Sequence, residues 1–94
     1  MRRCYILVRQ IFNESNGVSY QCEDDNPVVE VCTTAEVAKD VARRIVENHI
    51  KYSYQSLHMV EKEPNSELIY KVGAFNTSGI CELSYSVIRR FMMV

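Results

Sequence analysis

Two histidines, His49 and His58, and four cysteines, Cys4, Cys22, Cys32 and Cys81, could act as base, nucleophile or soft metal ligand near neutral pH. A Cys–His pair would give thiolate chemistry, and such partners need not be close in sequence. No enzyme-type local signature surrounds any of these cysteines, and no two stand at the C-x-x-C spacing of zinc knuckles and dithiol redox motifs. The simpler reading is four reduced thiols serving as small apolar side chains on strands. His49 falls on the apolar stripe of a helix, where a hydrogen-bonded boundary histidine is the plain interpretation, and His58 lies near the start of a strand. Glu23-Asp24-Asp25 gathers three carboxylates but lacks the spaced ligands, central Gly and distal Glu of an EF-hand calcium loop. Glu61 and Glu63 flank a turn and read as solvated. The three glycines, Gly17, Gly73 and Gly79, form no phosphate-cradling loop, and no G-x-S-x-G, P-loop or H-E-x-x-H is present. No cofactor or metal is assigned on this basis, and a small enzyme with a His/Cys site ranks third among the readings.

Three Arg-Arg pairs, Arg2-Arg3, Arg43-Arg44 and Arg89-Arg90, stand beside six tyrosines and three phenylalanines. The first and last pairs bracket the chain and would converge if the first and last strands were neighbours. A sheet face bearing Tyr and Arg could stack single-stranded RNA. Against that, the net charge is −1, Lys numbers only four, and the acidic run at Glu23 to Asp25 opposes phosphate. Arg and aromatic residues are also what protein interfaces concentrate at their centres.

The elements that must position these groups follow from periodicity. The chain has 94 residues, 47% of them hydrophobic and 24% charged, which suits one folded domain and excludes a disordered chain. No apolar stretch approaches the ~20 residues of a membrane-spanning helix, and no signal peptide is recognisable, so the expected location is the cytoplasm or nucleus. Cys4 to Phe12 is a strand apolar on both faces, with Ile6, Val8 and Phe12 on one and Tyr5, Leu7 and Ile11 on the other, hence central. Asn16-Gly17 turns it into a half-exposed second strand, Val18 to Cys22. After the Pro27 breaker, Val28 to Cys32 forms a third strand. Thr33 and Glu36 fit a capping box, starting a helix from Thr34 to about Ile50. Its stripe is Ala35, Ala38, Val41, Ala42, Ile45 and His49, and Asp40 with Arg44 and Glu47 with Lys51 pair on the opposite face. Leu57 to Lys62, Glu67 to Phe75 and a last strand from Ile80 onward, either running through Phe91 to Met93 or bent near Arg89-Arg90, complete the order β-β-β-α-β-β-β. In the fifth strand Leu68, Tyr70, Val72 and Ala74 share a face, and in the sixth Cys81, Leu83, Tyr85 and Val87 do. The predicted class is α+β, an antiparallel or mixed sheet of about six strands with one amphipathic helix.

The segment Pro27 to Ala38, a short strand running into Thr33-Thr34-Ala35-Glu36-Val37-Ala38, resembles one found in small phage and mobile-element accessory proteins. Some of these inhibit host defence complexes. The resemblance implies a strand, a helix start and following hairpin strands, and it carries over no catalytic residue.

One helix is ~10 Å wide and strands lie ~4.8 Å apart, so it covers two or three strands of six. The uncovered apolar surface needs a partner: a barrel closure, a second copy or another molecule. The apolar tail Phe91-Met92-Met93-Val94 points the same way. The expectation is a cofactor-free protein-binding module, a homodimer that occupies the surface of an unidentified protein. Its contact residues are taken as Tyr70, Tyr85, Arg89, Arg90, Phe91 and Met92. A single-stranded RNA-binding module is the alternative.

Overall fold

A strand that is apolar on both faces must have neighbours on both edges and something to pack against, and β1 (Arg2–Ser15) has both. The structure, a computed structural model, describes residues 2–92, with the side chain of Met92 outside that description. Fourteen residues at ~3.4 Å each make β1 about as long as the molecule, whose longest extent is 47 Å. Asn16 and Gly17, at φ 53° and 78°, turn it into β2 (Val18–Gln21). Both turn residues are left-handed, as a two-residue hairpin of this kind requires.

β2 pairs only with Phe12 to Ser15 of β1, at the end of the sheet that the helix does not reach. All four of its residues are therefore exposed, rather than half of them as alternation predicts. Cys22 lies just past the strand and donates its N–H to the Ile11 carbonyl at 2.8 Å. The acidic loop returns the chain to β1. There Arg9 Nε donates to Asp24 Oδ2 at 2.7 Å and Nη2 to Oδ1 at 3.0 Å. β3 (Val28–Cys32) then runs along the same edge of β1 that β2 uses, opposite Tyr5 to Val8.

α1 (Ala35–Lys51) is capped by Thr34, whose Oγ1 accepts from the Val37 N–H at 3.3 Å. The cap is one residue later than Thr33, and Val37 then occupies the position where a capping box would place Glu36. Ala38, Ala42 and Val46 are fully buried, and Val41, Ile45 and Ile50 flank them. The two alanines let the helix backbone approach the sheet. His49 leaves the predicted stripe: it lies on the exposed side, with Nε2 4.0 Å from Glu82 Oε2, and Val46 takes the buried place.

β4 (His58–Lys62), β5 (Leu68–Phe75) and β6 (Cys81–Met92) complete an all-antiparallel sheet of order β2-β1-β6-β5-β4, with β3 beside β1. The fold is thus α+β, with six strands and one helix. The sheet is only five positions wide, because β2 and β3 share one edge of β1. α1 lies over β5 and β6, and beneath it Leu7, Val72 and Val87 are completely buried. Each such side chain contributes about 1.5–3 kcal/mol relative to exposure.

Two bulges change which residues share a face. One, between Leu68 and Tyr70, puts Leu68 opposite Ile88 on the face away from α1 and brings Ile69 against the core. The other, between Ala74 and Phe75, sets Cys81 opposite Phe75, with its thiol near Gly73. No described helix is long and apolar enough to cross a membrane. Met93 and Val94, the last residues of the tail expected to dock, lie outside the described residues.

Candidate binding surface at the arginine end of the sheet

Antiparallel pairing of β1 with β6 brings the first and last arginine pairs together. Arg2 stands opposite Met92, Arg3 opposite Phe91, Cys4 opposite Arg90 and Tyr5 opposite Arg89. Directly opposed residues share a face. Arg3, Phe91 and Arg89 therefore lie on the α1 side with Tyr5, and Arg2 and Arg90 lie on the other. Phe91 is 56% exposed, and the Arg3 guanidinium sits 5.9 Å from its ring centroid, a cation–π geometry.

Charge at this end is poorly balanced. Arg90 Nη1 donates to Glu67 Oε1 and to the Arg89 carbonyl at 3.0 Å. The Arg89 backbone N–H donates to the Glu67 carbonyl at 2.8 Å, which fixes the strand. The Arg89 Nε is buried and has no hydrogen-bond partner in the structure. Arg2 and Arg3 are exposed and enter no ion pair among the described residues. Four guanidinium groups thus meet one bonded carboxylate, that of Glu67. A guanidinium presents a planar fork of donors suited to carboxylate or phosphate, so this end can take an anion. The third pair behaves differently: Arg43 and Arg44 both bond to Asp40 on the outer face of α1.

Of the contact residues predicted from sequence, Arg89, Arg90 and Phe91 are brought together here. Met92 pairs with Arg2 through its backbone position only. Tyr70 and Tyr85 are each 5% exposed and belong to the core beneath α1, so they offer no contact surface. Burial, with the Glu61 charge next, pushes the Tyr70 phenol up to about 12. Sequence reasoning left Arg2 and Arg3 out of the contact set. Their signal was the Arg-Arg repetition at both ends of the chain, which needed the β1–β6 pairing to acquire meaning.

The cysteines and histidines do not assemble into a reactive group. Burial raises the Cys32 thiol, helped by Glu30, and burial also raises Cys81, whose Sγ points to the Leu83 carbonyl at 3.4 Å. Raised thiols are poor nucleophiles at neutral pH. All four cysteines are free. Among the described residues no three His, Cys, Asp or Glu side chains are placed to share a metal ion. His58 stacks obliquely on Phe75 at 6.1 Å between ring centroids. Comparison with protein-family models, with curated protein sequences and with solved structures finds no match to this chain.

Proposed function

We propose that this chain is a non-enzymatic protein-binding module that occupies an acidic surface of a partner protein through its arginine end. The gathering of Arg2, Arg3, Arg89 and Arg90 at one end of the sheet, with Arg3 over the exposed ring of Phe91, supports the reading. Aromatic and Arg side chains are enriched at the energetic centres of protein interfaces. Occupancy of this kind blocks or bridges the partner without chemistry, which is how an inhibitor of a multi-component complex would act.

Binding of fluorescent probes tests it: a short Glu- and Tyr-rich peptide, and a single-stranded oligouridine of similar length. The peptide is expected to bind, and the double variant Arg2→Glu, Arg3→Glu is expected to weaken it about tenfold or more. Phe91→Asp should also weaken it. Unchanged peptide binding in both variants overturns the proposal. So does tighter binding of the oligouridine with a steep fall in salt, which favours the RNA alternative.

We further propose that the module is a homodimer joined through β3. This strand pairs with β1 alone among the described residues, so its outer edge carries an open hydrogen-bonding ladder. Val28, Val29 and Val31 on it are 51%, 39% and 55% exposed. An exposed strand edge with three valines and no Lys is a template for a second strand.

A further inference from the structure

The face of the sheet turned away from α1 carries a cleft. Ser84 and Ser86, at the middle of β6, are 1% and 7% exposed on this face. Ser84 Oγ donates to Gln10 Oε1 at 3.2 Å, which satisfies it. Gly73, opposite both Ser84 and Val60, is a tight position: a Cβ there would lie 3.1 Å from the Phe75 ring and 3.2 Å from Cys81 Sγ, and its neighbours would have to shift by a few tenths of an ångström. Gly73 and Ser84 line this cleft of about 310 Å³. Phe12, Val60, Leu68 and Phe75 also line it, together with Lys62 and Lys71.

The two lysines are direct cross-strand partners between β4 and β5. Like charges directly opposite each other destabilise a sheet. Neither forms an ion pair among the described residues. A largely apolar cleft is therefore lined by two lysines on directly opposed strand positions, neither in an ion pair among the described residues. Its volume is at the small end of the ~300–1,000 Å³ usual for ligand sites.

We propose that this cleft binds a small amphiphile, an apolar chain carrying a carboxylate, of the size of a medium-chain fatty acid. The chain lies on Phe12, Val60, Leu68 and Phe75. The carboxylate sits between Lys62 and Lys71, one oxygen to each ammonium, and relieves their repulsion. Two point-charge donors in one lining match the two oxygens of one carboxylate. The site is separate from the arginine end and from the outer edge of β3, so it stays open in the proposed dimer.

Titration calorimetry with decanoate, 1-decanol and inorganic phosphate, each below its aggregation limit, tests this on the full chain. Decanoate should bind saturably at one site per chain, 1-decanol more weakly, and phosphate not at all. In the double variant Lys62→Gln, Lys71→Gln, checked for unchanged melting, decanoate should bind about tenfold more weakly and 1-decanol as before. Equal binding of decanoate and 1-decanol with silent lysines overturns the proposal, as does phosphate binding alone with the affinity of decanoate. Absence of saturable decanoate binding to the wild-type chain overturns it outright.

Discussion

Asp24 ties the acidic loop between β2 and β3 down onto β1, and it does so as an ionised group. The Arg9 fork holds its carboxyl below the ordinary value of 3.8, and the Asn26 N–H, at 3.0 Å from Oδ1, acts in the same direction. A carboxyl with a depressed folded-state pKa adds stability that is complete above its unfolded value. That stability is lost as pH falls through the folded one. Asp24→Asn is therefore expected to lower the melting temperature at neutral pH and to match the wild type in strong acid, as thermal melts at both conditions would read. A constant offset at every pH would assign the loop's anchoring to something other than this charge. In sequence, Glu23-Asp24-Asp25 is a solvated run with nothing to single out its middle member, because the partner is fifteen residues away across a hairpin. Tyr70 and Tyr85 mislead for a related reason. A tyrosine serves a core as well as an interface, and only the position of α1 decides which.

Alternation locates the second, fifth and sixth strands because a period of two survives in composition, while the first is found by its apolar residues on both faces. Alternation does not reveal bulges. Leu68 and Ile69 are both apolar, so one inserted residue exchanges their faces with no trace in the pattern. The same blindness hides the fatty-acid cleft, since Cys81 reaches Gly73 only through the second bulge. At the helix start two adjacent threonines compete, and Thr34 is the one whose hydroxyl reaches an amide. Thr34→Ala should cost about 1 kcal/mol of stability, measured by denaturant unfolding, and Thr33→Ala should cost close to nothing. Beneath that helix Leu7 is wholly buried between α1 and the sheet, and Leu7→Ala should cost about 2–5 kcal/mol. A smaller loss would mean that α1 settles into the gap. Of the two i, i+4 pairs expected from spacing, Asp40 with Arg44 forms an ion pair, whereas Glu47 and Lys51 form none among the described residues.

On the scale of the whole molecule, the geometric expectation of uncovered apolar surface concentrates at two places, the outer edge of β3 and the cleft on the face away from α1. Light scattering on the wild-type chain should give twice 10.9 kDa, and Val31→Lys should give a single 10.9 kDa species with unchanged circular dichroism. A wild-type mass of one chain at every concentration would remove the dimer and leave the arginine end to act singly. The arginine end was half legible: its residue types are conspicuous, but their convergence depends on pairing between residues some eighty positions apart. That same pairing governs how the chain acquires its structure. β1 is made before the other described elements, and its ten-residue ladder with β6 must wait until all of them have been made. Until then β1 can recruit only β2 and β3 on its other edge, and its inner edge stays open. The loop to be closed is nearly the whole chain, so contact order is high and folding belongs in the slower range of small domains. In that interval an edge lined by Tyr5, Leu7 and Ile11 is exposed to any strand at hand, and a second copy of the same chain is the nearest one on a polysome.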